Sequence, residues 1–169
     1  MIAILITVAS LCFVPGVQAG PDFSGTWTFD QAKTMRPGPD GRVVLAAMLG
    51  DQFVALQNDK TLTLRITFNG EIVVAVYDLT GAESENVSPG DIRVRSRATW
   101  QDKKLVIDSI SQGVDQGKPA TIKTKRTIWL DESGDLIVER TGTPASAVTS
   151  SRSVYRRVSA PRPPSPYED

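Results

Sequence analysis

Apolar and polar residues alternate along much of the chain after residue 50. In residues 61–68 every second residue is Leu, Ile or Phe, and the residues between them are Thr or Arg. Side chains of a strand point alternately to its two faces, so this pattern predicts an antiparallel strand with one buried face. Asn69-Gly70 follows directly, and this pair favours a tight hairpin turn. Residues 71–79 are therefore predicted to return as the next strand.

The same reasoning predicts strands along most of the chain. Together with the hairpin it gives about eight or nine strands, and the segments other than the hairpin are residues 22–29, 53–56, 92–100, 105–110, 120–130, 136–140 and 151–158. Polar loops are expected at residues 81–90 and 113–119. Short strands at a spacing of roughly ten residues are typical of a barrel or a sandwich. The predicted fold class is all-β.

One short helix is predicted after the first strand. Asp40 is a suitable N-cap, residues 42–49 are almost entirely apolar, and Gly50 is a suitable stop. A helix that is apolar nearly all round must be covered, so it is expected to lie against the body of the fold. Residues 31–39 are read as a polar connector because they contain Pro37-Gly38-Pro39.

The two ends of the chain differ in composition from the rest. Residues 1–19 contain no charged side chain and end in Val17-Gln18-Ala19, which predicts a signal peptide cleaved after Ala19. Residues 160–169 contain four prolines and are expected to be a disordered tail. Residues 20–159 are then one domain, in a periplasmic or secreted protein.

Composition limits the function. The 19 basic and 19 acidic residues balance, which argues against a nucleic-acid partner. The chain has no His, and its single cysteine, Cys12, lies in the predicted leader. The usual general base near neutral pH and the thiol nucleophile are therefore missing from residues 20–169. No enzymatic activity, no metal and no cofactor is predicted.

Several segments resemble the lipocalin-like, or calycin, superfamily, which includes the fatty-acid-binding proteins. Gly25-Thr26-Trp27 is similar to the Gly-x-Trp motif of the first strand, and residues 100–105 and 153–158 resemble the closing hairpins of fatty-acid-binding proteins. The predicted helix also takes the place of their helical lid. The resemblance implies an antiparallel up-and-down β-barrel, here of a small exported bacterial protein.

The resemblance also implies roles for particular residues. In such barrels the motif Trp packs under a basic side chain of the last strand, so Gly25 and Trp27 are expected to close the barrel with Arg156 or Arg157. Inward Arg and Tyr residues late in the chain hold the carboxylate of the ligand in fatty-acid-binding proteins. Residues in loosely similar places here are Arg126, Arg140 and Tyr155.

The charged side chains leave alternatives open. Arg126 and Arg140 share strand faces with apolar residues, and each could instead pair with Glu139 or Asp108 or reach solvent at a strand end. The row formed by Arg93, Arg95 and Arg97, with Lys123 and Lys125 two strands on, could bind anions or could simply be a solvated outer face. The solvated face is the simpler interpretation for a neutral chain.

The predicted function is non-covalent binding of a small apolar or amphipathic ligand inside the barrel. Its apolar wall is expected to consist of Leu62, Leu64, Ile66, Val74, Val94 and Trp100. One alternative is a barrel filled with side chains that acts as an envelope or surface interaction module. Another is a lyase or isomerase that uses the barrel to hold a reactive substrate. No nucleic acid and no membrane span after the leader are expected.

Overall fold

The computed structural model describes residues 20–34, 48–68, 70–115, 117–143 and 149–158. The predicted signal peptide, most of the predicted helix and the Pro-rich tail lie outside these residues. Within them, no helix is long and apolar enough to cross a membrane.

The described chain forms ten strands and one short helix. In chain order these are β1 (Gly25–Phe29), α1 (Gln31–Thr34), β2 (Gln52–Gln57), β3 (Thr61–Phe68), β4 (Glu71–Asp78), β5 (Glu83–Ser88), β6 (Ile92–Gln101), β7 (Lys104–Asp115), β8 (Lys118–Leu130), β9 (Leu136–Thr143) and β10 (Thr149–Arg157). All neighbouring strands are antiparallel, and their order in the sheet is β4-β3-β2-β1-β10-β9-β8-β7-β6-β5. The predicted all-β, up-and-down fold with one short helix after the first strand is confirmed.

The sheet curls into a nearly closed barrel whose two edge strands, β4 and β5, lie side by side. No backbone ladder joins them. Instead, the side-chain amide of Asn86 on β5 forms two hydrogen bonds with the backbone of Val76 on β4. It accepts from the Val76 N–H at 2.7 Å and donates to the Val76 carbonyl at 3.0 Å. The Ser84 hydroxyl also accepts from the Asp78 N–H at 2.8 Å. Side chains of β5 therefore hold this seam.

The core fills one end of the barrel. Trp27 is fully buried, and its indole N–H donates to the Phe23 carbonyl at 2.8 Å. The Phe23 ring in turn packs against Trp100 with centroids 5.6 Å apart. Most of the other large buried side chains of this cluster are aliphatic, namely Leu49, Leu62, Leu64, Leu105, Ile107, Ile128 and Leu136. Burial of this much apolar surface is the main stabilising term of the fold.

Alternation predicts the inward faces of β3 and β6 correctly, but it is wrong for Val74. On β4 the buried and half-buried residues are Val73, Ala75 and Tyr77, whereas Val74 is 47% exposed on the outer face. Both faces of this strand are apolar in sequence, so the pattern alone carries no information about which face is inside. Val74 cannot line the interior.

Other corrections concern element boundaries. The predicted polar loop at residues 81–90 contains β5, and the predicted loop at 113–119 is largely occupied by the ends of β7 and β8. The helix observed, α1, lies in the predicted connector. Leu49, predicted as the end of a helix, lies instead in a turn. Strands β2 and β6–β9 are longer than predicted, mainly because polar residues continue the ladders beyond the apolar runs.

Candidate functional site

A cavity of about 280 Å³ lies inside the barrel, beside the β4–β5 seam. Its apolar wall is formed by Ile66 of β3 with Val73 and Ala75 of β4. Across the lumen, β6, β7 and β8 contribute short hydroxyl side chains together with the apolar Ile92, Val94 and Ile122. The two long charged side chains of the lining are Arg126 and Arg140. None of the lining residues carries a carboxylate. The cavity therefore has a largely apolar wall on β3 and β4 and a mixed wall of apolar, hydroxyl and cationic side chains opposite.

Arg126 extends from β8 across the lumen. Its Nη1 donates to the Tyr77 hydroxyl of β4 at 3.1 Å, while its Nε is buried without a hydrogen-bond partner in the described chain. A guanidinium has five N–H donors, and of these the Nε–H is the one that is buried without an acceptor. A buried N–H without an acceptor costs about 1–3 kcal/mol. An acceptor placed in the cavity beside Arg126 would remove this cost.

Arg140 is the cross-strand neighbour of Arg126. Arg140 is exposed at the edge of the cavity, and partial burial of its side chain, and next the adjacent charge of Arg126, lower the pKa of its guanidinium from the usual value. Neither arginine pairs with the acidic residues that the sequence offered as partners. Asp108 lies 3.9 Å from Lys125, and Glu139 lies 4.0 Å from Arg152.

Tyr155, predicted to hold a ligand, is a core residue and does not line the cavity. Its hydroxyl accepts the Leu49 N–H at 2.8 Å, and its ring packs between Phe29 and Phe53. Burial is the main cause that raises the pKa of Tyr155 to about 12. The Tyr155 hydroxyl therefore has a structural role in the core.

The other predicted wall residues are placed differently from one another. Leu64 is buried in the core, and Trp100 is half-buried against that core, so both lie outside the cavity lining. Ile66 and Val94 do line it. The structure thus brings together Arg126 and Arg140 but not Tyr155, Trp100, Leu64 or the outward Val74.

Sequence reasoning missed the polar part of the lining. Tyr77 shares the inward face of β4 with Val73 and Ala75, and a period-two reading from the correct face would have found it. The hydroxyl residues of β6–β8, and Asn86, gave no apolar signal and were not considered. The sequence feature that could identify these lining residues is a row of small polar residues on the inward face of a strand.

Gly25, Trp27 and Arg157 meet at the end of the barrel. The guanidinium carbon of Arg157 lies 4.7 Å from the Trp27 ring centroid, and the two residues are paired in register between β1 and β10. A Cβ at Gly25 would contact the Arg157 side chain at 3.7 Å, and the positive φ of 138° there suits glycine. Arg156 points elsewhere, and its Nε lies 2.9 Å from the Asp30 carboxylate.

A larger depression, of about 620 Å³, is lined by outward charged residues of β5–β8 and also by Ser96, Ser109 and Thr124, which line the interior cavity as well. Its charged side chains are engaged with one another or with the backbone, since Arg95 faces Glu83 at 3.8 Å and Arg97 donates to the Gly81 carbonyl at 2.7 Å. Nearby, Arg93 donates to Glu85 at 2.8 Å. Exposed pairs of this kind are weak and solvated. We therefore take the smaller interior cavity, with its unsatisfied guanidinium, as the candidate site.

No family model and no curated protein sequence matches the chain. Solved structures do match. Zebrafish ileal bile acid-binding protein in complex with cholic acid superposes with a TM-score of 0.56 and 18% identity, over 80% of this chain and 98% of that one. Apo lipid binding protein 8 of Caenorhabditis elegans gives 0.54 and 14%, over 80% and 95%. These likenesses confirm the antiparallel β-barrel fold.

Proposed function

We propose that this protein binds a small amphipathic molecule with an anionic group, non-covalently, in the barrel cavity. The observation that carries the proposal is Arg126, whose guanidinium enters a cavity lined by no carboxylate and whose Nε has no partner among the described residues. A carboxylate is the acceptor that best matches a guanidinium, because two of its N–H groups can donate in parallel.

The rest of the cavity suits the non-polar part of such a ligand. Ile66, Val73 and Ala75 form an apolar wall, and burying an acyl chain against it is favourable. The volume of about 280 Å³ corresponds to roughly nine water molecules at about 30 Å³ each. It lies near the lower limit of ordinary ligand sites, so short ligands are preferred over long ones.

The structural neighbours support a binding protein rather than an enzyme. The two neighbours are a bile acid-binding protein and a lipid binding protein. A void inside the barrel also favours ligand binding over the alternative of a barrel filled with side chains. The test is direct binding of a defined ligand.

Decanoate is a suitable probe, and calorimetry measures its affinity for the wild type and for Arg126→Met. Loss of a charge-assisted hydrogen bond costs about 1.5–3 kcal/mol, so we expect affinity to fall about 10- to 150-fold. Lys125→Gln is the matched control, since Lys125 neighbours Arg126 on β8 but faces outward. It should bind decanoate like the wild type.

Decanol separates the anionic group from the apolar chain. Its affinity should be nearly the same in the wild type and in Arg126→Met. Equal decanoate affinities in the wild type and in a folded Arg126→Met variant would refute the role of Arg126. No binding of either probe to the wild type would refute the cavity as a ligand site.

We further propose that the protein is exported and that its leader is removed after Ala19. The apolar run and the Val17-Gln18-Ala19 site support this. Gly20, the first described residue, lies against the Trp100 ring so closely that a Cβ there would be 2.2 Å from it. Mass spectrometry of protein from the envelope fraction should give a chain beginning at Gly20, and an intact Met1 or Ile2 terminus would contradict it.

A further inference from the structure

A belt of small hydroxyl residues crosses the polar side of the barrel at one level. The strand pairing aligns Ser84 of β5 with Ser96 of β6, Ser96 with Ser109 of β7, and Ser109 with Thr124 of β8. On β9 the next position is Gly142, which adds no side chain. Four successive strands thus present a hydroxyl at the same height. We call Ser96, Ser109 and Thr124 the hydroxyl belt, because these three line the cavity.

The belt keeps hydrogen-bonding capacity for a ligand. Ser96 is only 3% exposed, and its Oγ lies 2.9 Å from the Oγ of Ser109. One hydrogen joins the two oxygens, so the second hydroxyl hydrogen and further lone pairs remain available. The side-chain hydroxyls of Thr124, and of Ser111 in the next row, have no hydrogen-bond partner within the described residues. Ser84, by contrast, is used in the seam.

The belt faces the apolar wall. Ile66, Val73 and Ala75 carry no polar side-chain atom, whereas the belt offers three hydroxyls at one level. Val94 and Ile122, on the same strands and in the same lining, show that apolar residues fit there, and hydroxyls left without partners in an apolar site are unfavourable. The difference between the belt and the apolar wall therefore bears on the apolar body of the ligand and not on its charged end.

We propose that the ligand is an anionic molecule that also carries a hydroxyl on one side of its apolar body, and that the belt binds this hydroxyl. The inference rests on the proposed function and narrows its ligand class to hydroxylated amphipathic acids. Thr124 and Arg126 are two residues apart on β8, which is about 7 Å along the strand. The charged group and the belt are therefore separate sites, and a hydroxyl several carbon atoms from the carboxylate fits them better than one beside it.

The test compares decanoate with 3-, 5- and 7-hydroxydecanoate by calorimetry. A hydroxyl that finds a partner in the site contributes about three- to tenfold in affinity. We expect one of the mid-chain isomers to bind the wild type more tightly than decanoate by that factor. A hydroxyl without a partner would instead weaken binding, because its desolvation is not compensated.

Two belt variants locate the effect. Thr124→Val keeps the shape of the side chain, and Ser96→Ala combined with Ser109→Ala removes both partners of one hydrogen bond, which is nearly neutral for folding. In at least one of them the preference for the hydroxylated acid should disappear while decanoate affinity is kept. Thr121→Val, on the outer face of β8, is the control and should leave the preference unchanged.

The outcomes separate the two proposals. If decanoate binds in an Arg126-dependent way but every hydroxylated isomer binds more weakly, the belt holds only water and this inference is overturned, while the proposed function stands. A preference that persists in both belt variants also overturns it. If none of the four acids binds the wild type, both proposals are refuted.

Discussion

Tyr155 makes folding stability sensitive to alkaline pH. Its fully buried hydroxyl accepts the Leu49 N–H at 2.8 Å, and burial is the main cause that raises its pKa to about 12 from 10.0. The neutral phenol is thus favoured in the folded chain. The stabilisation is fully present below about pH 10, where tyrosine is protonated in both states, and is lost as pH rises toward about 12.

The magnitude follows from the shift. A shift of about two units corresponds to about 2.7 kcal/mol in total, and the relation between protonation and folding gives a loss of about 1.4 kcal/mol by about pH 11. Tyr155→Phe has no hydroxyl to ionise and escapes this loss. It does leave the buried Leu49 N–H without its acceptor, which costs about 1–3 kcal/mol at neutral pH.

Urea unfolding of the wild type and of Tyr155→Phe between about pH 8 and about pH 11 measures both effects. Other groups titrate alike in the two proteins, so only the difference between their free energies of unfolding is needed. That difference should shrink by about 1.4 kcal/mol over this range. A constant difference would refute the reasoning, and so would tyrosinate absorbance showing that Tyr155 ionises near its ordinary pKa in the folded protein.

Three further substitutions test local features. Gly50→Ala places a Cβ 2.8 Å from a carbonyl oxygen of β3. Gly70→Ala is the control, because Gly70 has a similar positive φ but open space around it. In chemical denaturation, Gly50→Ala should lower the free energy of unfolding by about 1–3 kcal/mol more than Gly70→Ala does. Asn86→Leu removes both hydrogen bonds to the Val76 backbone. Hydrogen exchange of the Val76 amide should then accelerate markedly while the amides of the β7–β8 ladder stay protected. Uniform acceleration would contradict a local role of Asn86. Hydrogen bonds from Ser133 lower the pKa of Asp131, so the folded chain loses stability when this carboxylate is protonated. Asp131→Asn should therefore lose less stability than the wild type on acidification below about pH 4. An unchanged dependence of stability on acid pH would count against this role of Asp131.

Regular alternation predicted much of the barrel because one strand face meets the core and the other meets water. This holds for β3 and β6. It fails for β4, where Val73 and Val74 are equally apolar and only the tertiary fold decides which one faces inward. Strand β5 was missed because its inward residues, Ser84, Asn86 and Ser88, face the seam and the polar cavity, so it has no apolar face to detect.

The candidate site was predictable in part. Arg126 was singled out because a charged residue on an apolar strand face needs a partner, and the structure gives it one hydrogen bond and an unpartnered Nε. The hydrogen bond from the Leu49 N–H to the Tyr155 hydroxyl joins residues 106 positions apart, so no local sequence pattern predicts it. The hydroxyl belt depends on the register of four strands, which sequence spacing alone does not fix.

The pairing of β1 with β10 has a consequence for the timing of folding. Trp27 lies opposite Arg157, so 157 − 27 = 130 residues separate two positions that must meet before the barrel is complete. At about 5–20 residues per second, a ribosome needs roughly 6–26 seconds to make that stretch. Throughout this interval β1 lacks one of its two neighbours and its tryptophan lacks the arginine that covers it. A nascent chain therefore carries an unfinished, apolar sheet edge, and this is the period in which a chaperone or export factor would have most to protect.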